Sequence, residues 1–131
     1  MNSIKGQYKN LFPRFLVAVT SMAAGTGSLR ERLAWVVIDV TVFAESQIPR
    51  GVARRYREFH KLVFSAKVPA GYEGHPDRVK AIRAFHLSPQ KAKRAVALLT
   101  GMFETIAYRK DWDEAELAAQ ESAEDDEDLG T

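Results

Sequence analysis

Arg50, Arg54, Arg57 and Lys61 recur at steps of three or four residues. At about 100° per residue on an α-helix, that spacing places them within roughly 60° of one another. Val52, Tyr56, Phe59 and Val63 fall on the opposite side, so this segment has the clearest two-sided pattern in the chain. A row of cations repels itself and gives an isolated helix nothing. Its chemistry is to accept anions, either the phosphates of a nucleic acid or the carboxylates of an acidic partner. The same row also suits an ordinary solvated face. Arg55 lies to the side, where Glu58, three residues on, is placed to neutralise it.

Arg78, Lys80, Arg83, Lys91, Lys93 and Arg94 follow, and they extend the basic patch if the later helices pack beside the first. No helix-turn-helix signature, zinc-finger spacing or RNA-binding aromatic motif accompanies them, so the nucleic-acid signal is charge alone.

The balancing charge is at the other end. Residues 1–110 hold all 19 Lys and Arg and seven Asp and Glu, whereas residues 111–131 hold ten acidic residues and no Lys or Arg. From Glu121 onward the chain reads as a disordered acidic tail, residues 121–131, that resists collapse by self-repulsion. Such a tail keeps a protein dissolved, or folds back over the basic helices and competes with an anionic partner.

Arg32 and Asp39 form a second candidate. Asp39 is the lone charge between Leu33 and Ala44, and Arg32 and Trp35 precede it by seven and four residues on the same side of a helix. A structural ion pair inside the fold or at a subunit contact is expected, with an acid in a pocket as the sharper alternative. His60, His75 and His86 match no metal-ligand spacing, and H-E-x-x-H is absent. The glycines of Ala70–Gly74 lack the Lys-Ser/Thr pair of a phosphate loop, and no serine lies in a nucleophile elbow. Without cysteines there is no disulfide framework, thiolate metal site or cysteine nucleophile. No cofactor or metal is called for, and nothing argues for an enzyme.

These residues must be positioned by helices. Ile4, Tyr8, Leu11, Phe15, Val19 and Met22 mark one helical face, with Pro13 set to kink it or begin a second segment. Gly25-Thr26-Gly27 ends that helix, and Ser28 with Glu31 forms a capping-box pattern for a second, about Leu29 to Gln47. The second helix is apolar nearly all round and reads as the buried centre of a bundle. Its β-branched run, Val36 to Val42, also suits a strand, so a hairpin pairing Phe15–Ser21 with Trp35–Phe43 is the competing layout. The cap and the charged lead-in Leu29–Arg32 favour helix.

Pro49 starts a third helix to about Ala66, Val68–Gly74 is a loop, and Pro76 starts a fourth helix, about Asp77 to His86. Ser88-Pro89 starts a fifth, Gln90 to Lys110, with Ala95, Leu98, Leu99, Met102, Phe103 and Ile106 as its packing stripe. Asp111 and Glu114 are placed to cap a short sixth segment through Ala119. The expected fold is all-α: a small antiparallel bundle of about five helices in one domain, residues 1–120, with the acidic tail appended.

With 46% apolar and 27% charged residues, the 131-residue chain has the composition of an ordinary globular domain. No apolar run is long enough to span a bilayer. Lys5, Lys9 and Arg14 ahead of Phe15–Ala24 imitate a secretory signal, but Thr20 and Ser21 weaken the apolar region and the charged lead-in is long. A cytoplasmic setting fits the absence of cysteine.

Three functions from different classes follow. The first is a non-catalytic adaptor or regulatory protein that binds another protein or itself, with Trp35 or Phe43 at a self-contact. The second is a nucleic-acid-binding accessory protein using Arg50, Arg54, Arg57 and Lys61. The third is an enzyme.

Overall fold

Most of the described helices begin where the sequence supplies a nearby acceptor for their orphan amides. The computed structural model describes residues 3–66, 81 and 83–129, with side chains through residue 124. Ser3 Oγ accepts from the Gly6 amide at 3.0 Å and starts α1, Ile4–Ala24. Tyr8, Leu11, Phe15, Ala18 and Met22 of α1 are buried, so the segment that imitates a secretory signal is a core helix. Pro13 lies on the exposed side of α1 and does not divide it.

Gly27 then takes a φ of 95°, a conformation glycine reaches without a Cβ clash. Ser28 Oγ accepts from the Glu31 amide at 3.2 Å and starts α2, Leu29–Thr41. Trp35–Thr41 is therefore helical, and the competing hairpin does not form. The expectation that α2 is buried on nearly every side is corrected, because one side of α2 packs inward while Trp35 is 82% exposed and Val42 49% exposed on the other. α2 also ends earlier than Gln47. Thr41 Oγ1 turns back onto the Val37 carbonyl at 2.7 Å, and a 3-10 turn, Glu45–Gln47, follows. The Gln47 side chain accepts the Ala44 amide at 2.7 Å and holds that turn.

α3, Arg50–Val63, begins after Pro49, which occupies the N-cap position rather than the first helical one. α4, Pro89–Arg109, starts as its sequence suggests: Ser88 Oγ accepts from the Lys91 amide at 3.2 Å, and Pro89 sits in the first turn. Between α3 and α4, Ala81 and residues 83–85 are helical. The expected loop at Val68–Gly74, the helix start at Pro76, His75, Arg78 and Lys80 lie outside the described residues.

α5, Glu114–Leu129, starts two residues later than Asp111 and Glu114 suggested. Asp113 Oδ1 accepts the Glu116 amide at 2.8 Å, and Glu116 Oε1 accepts the Asp113 amide at 3.4 Å, a reciprocal capping box. The helix passes Ala119 and carries Glu121 and Glu124 in half-buried positions.

The architecture is all-α. α1 and α2 are antiparallel, as shown by Phe15 stacked on Phe43 at 6.4 Å and Arg32 reaching the Met22 carbonyl at 3.0 Å. α3 and α4 are antiparallel too, with Arg55 on Gly101 and Lys91 on Ser65. α1 meets α4 through Phe12 and Phe103, 6.0 Å apart. Tyr8, Phe15, Phe59, Leu99, Met102 and Ile106 join one core, and burying each such side chain contributes about 1.5–3 kcal/mol. Among the described residues, no helix is long and apolar enough to cross a membrane.

Candidate anion-binding surface

The amphipathic pattern of α3 is realised in space. Val52, Tyr56, Phe59 and Val63 are buried, and Arg50, Arg54, Arg57 and Lys61 are all exposed on the opposite side. Burial of the apolar stripe against α4 is what aims the cations outward. Arg57 reaches Glu45 of the 3-10 turn at 3.2 Å, with both side chains more than half exposed. Lys91 and Arg94 of α4 come alongside the C-terminal half of α3: Lys91 Nζ donates to Ser65 Oγ at 3.2 Å, and Arg94 Nη2 meets Glu58 Oε1 at 2.8 Å. Lys93, in contrast, lines a different groove with Ser28, Leu29 and Arg30.

The expected Arg55–Glu58 neutralisation gives way to two other pairings, because Arg55 faces α4 and its guanidinium satisfies backbone. It donates to the carbonyls of Gly101 at 2.7 Å and Gly51 at 2.8 Å, and to Thr105 Oγ1 at 2.7 Å. Glu58 is left to Arg94. Arg83 likewise serves the fold, donating to the Phe64 carbonyl at 2.8 Å beyond the end of α3.

The N-terminal end of α3 is where the surface becomes chemically specific. Pro49 offers no side-chain acceptor, so the first amide of α3 has no local cap. Glu121 of α5 supplies one: its Oε1 accepts the Arg50 backbone N–H at 3.0 Å. One turn further along α5, Glu124 Oε1 pairs with Arg109, whose Nη1 also donates to Tyr8 Oη at 3.2 Å. Arg109 and Glu124 are only 15% and 16% exposed, so water screens this pair weakly. Gly51 makes the approach feasible, since a Cβ there would collide with Arg109 Nη1 and Tyr8 Oη.

The titration shifts follow from this burial. Burial lifts the Glu121 carboxyl above the ordinary carboxylate range, against the opposing pull of the Arg50 amide and charge. Burial likewise raises the Tyr8 phenol, opposed by Arg109. Burial opposes the charge of Arg109, but its hydrogen bonds to Tyr8 and Glu124 outweigh that effect and raise its pKa.

Neither Arg32 nor Asp39 makes the expected pair with the other. Asp39 meets Arg14 of α1 at 3.6 Å, with side chains 35% and 56% exposed. Arg32 instead reaches across to the Met22 carbonyl near the end of α1. Both face α1, but Arg32 is drawn to the unpaired carbonyls at its C-terminus. His60 lies between the rings of Tyr56 and Phe64, each 5.1 Å away, and His86 sits edge-on to Phe85 at 5.4 Å. Among the described residues, no group of three or more His, Cys, Asp or Glu is arranged to hold a metal ion.

The residues that define the α3 end, Tyr8, Gly51, Arg109, Glu121 and Glu124, are not in the basic row. The one sequence signal for them is a proline ahead of α3 with no capping side chain nearby. Compared with known protein families, curated proteins and solved structures, the chain matches none.

Proposed function

We propose that this is a non-enzymatic interaction protein of the cytoplasm that binds an acidic segment of a protein partner. Arg50, Arg54, Arg57 and Lys61 form the recognition face. The observation that supports this reading is the carboxylate already seated at the start of α3, where Glu121 takes the Arg50 amide. Elements that accept carboxylates from their own chain suit a partner of the same chemistry. The Arg57–Glu45 bridge is exposed, worth under about 1 kcal/mol, so a partner carboxylate can replace Glu45.

The test is binding of the full chain to a labelled poly-glutamate peptide and, in parallel, to a single-stranded oligonucleotide. Peptide binding that weakens as salt rises, and that falls severalfold in Arg54→Ala/Arg57→Ala, supports the proposal. Preference for the oligonucleotide, with a salt slope reduced in the same variant, assigns the face to nucleic acid instead.

A second reading rests on α2. Trp35 and Val42 share its outer side at helical spacing, and they are 82% and 49% exposed. This stripe suits self-association, with Trp35 as the anchor. Phe43 is committed to Phe15 and half-buried, which makes it a poor anchor. A mass that rises with concentration in the unaltered chain but not in Trp35→Ala would support this reading.

A further inference from the structure

We infer that α5 is a detachable strap, the resident occupant of the α3 anion site, which an acidic partner must displace to reach the first turn of α3. The inference rests on the reading of the α3 face proposed above and adds how that face is regulated.

The attachment of α5 is polar. Leu117 is its one buried apolar side chain among the described residues. The other anchors are carboxylates: Glu114 on the amides of Ile4 and Lys5, Glu121 on the amide of Arg50, and Glu124 on Arg109. The seam between α4 and α5 is not closed by packing. It holds an open groove of about 520 Å³ lined by Glu104, Thr105, Tyr108, Arg109, Trp112 and Gln120.

The docked arrangement also carries a defect. Glu124 Oε2 is buried with no hydrogen-bond partner among the described residues. A buried, unsatisfied carboxylate oxygen opposes the docked state. Release of α5 returns that oxygen to water, and a carboxylate from a partner would take over the vacated amide and guanidinium. The exchange is like for like, so its balance is set by local concentration. Tethering to α4 gives α5 a high effective concentration, which makes it an effective competitor. The more exposed Glu114 and Glu121 contacts, unlike the buried Arg109–Glu124 pair, are sensitive to ionic strength.

The experiment compares the full chain with full-length Glu121→Gln/Glu124→Gln. Because a Gln amide oxygen can still accept the Arg50 N–H, Glu121→Ala/Glu124→Ala is made alongside as the variant that removes both anchors, and amide exchange at Arg50 and affinity for the labelled poly-glutamate peptide are measured for each. The alanine variant is expected to exchange Arg50 faster and to bind the peptide about tenfold more tightly, the effect of about 1.4 kcal/mol of lost competition. Faster exchange with equal peptide affinity overturns the strap while leaving the proposed function standing. Faster exchange with no peptide binding by either form removes the proposed function and, with it, the competition.

A salt titration of the unaltered chain keeps the test independent of how the variant folds. The Arg50 amide should lose protection before the Lys91 amide, which is capped by the neutral Ser88 hydroxyl. Loss of both together would mean that α5 leaves only when the whole fold melts, which overturns the proposal.

Discussion

Glu114 and Glu121 stand seven residues apart on α5 and close the N-termini of two different helices. Glu114 accepts the amides of Ile4 and Lys5 at 3.0 and 2.9 Å, and Glu121 accepts the amide of Arg50 at 3.0 Å. Two helical turns, about 10 Å along the axis, bring both side chains to one side of α5. Each carboxylate also lies at the positive end of a helix dipole, where a negative charge is favoured. The acidic helix therefore acts as a brace joining the starts of α1 and α3.

The two caps should be separable. Glu114→Ala is expected to lower stability by about 1–2 kcal/mol and to expose the Ile4 and Lys5 amides to exchange. Glu121→Ala should expose Arg50 while leaving Ile4 and Lys5 protected. Residue-resolved amide exchange checks both, and equal loss at all three amides would contradict separate caps.

Gly51→Ala should destabilise the fold, against the usual gain of about 1 kcal/mol for alanine over glycine within a helix. The added methyl meets Arg109 Nη1 and Tyr8 Oη. Crowding of this kind costs about 1–3 kcal/mol, so the steric term decides the sign. Thermal or urea unfolding measures it, and an unchanged or raised midpoint would count against the packing described.

Alkaline pH should weaken the fold through Tyr56. Its hydroxyl donates to the Phe43 carbonyl at 2.9 Å, and burial pushes its pKa from 10.0 up to about 12. The protonated phenol is favoured in the folded state, so this contribution is complete below pH 10 and is lost as pH rises through 12. Tyr56→Phe should remove that part of the alkaline fall, seen as the difference between the two unfolding profiles.

Glu121 should act in the acid range with the same sign. Burial raises its pKa, so the docked carboxyl holds its proton more firmly than the free one. Its contribution to docking is complete below the ordinary carboxylate pKa and fades as pH rises through the raised one. Stability of the unaltered chain relative to Glu121→Gln should therefore increase on acidification across that window. A relative decrease would show that the Arg50 contact outweighs burial.

Asp39→Ala should cost little. Its partner is Arg14, across a 3.6 Å bridge with the arginine more than half exposed. Such pairs are worth about 0–1 kcal/mol. A loss well above that would show Asp39 supporting the fold in another way.

Much of the framework was legible locally. Ser28 with Glu31 and Ser88 with Pro89 place helix starts because a hydroxyl and its amide are neighbours in sequence. The two faces of α3 were readable because a single turn angle relates Val52 to Tyr56 and Arg50 to Arg54. The apolar all-round look of α2 misled, since composition does not say how many neighbours a helix has, and Trp35 proves to face outward. The side-chain partners were least legible. Arg32, Asp39, Arg55 and Glu58 each had a plausible partner nearby in sequence, yet each chose one from another helix.

Helix type, the Ser-capped helix starts and the two faces of α3 are thus determined by the sequence itself, because they depend on bonds and angles within a few residues. The joining of Glu114 to Ile4, Glu121 to Arg50 and Glu124 to Arg109 was decided only by the tertiary structure. Each of those pairings joins different helices, and no local rule sets which orphan amide or buried guanidinium a carboxylate on another helix will meet. That depends on how the apolar faces pack, and packing brings Glu114, Glu121 and Glu124 against α1, α3 and α4.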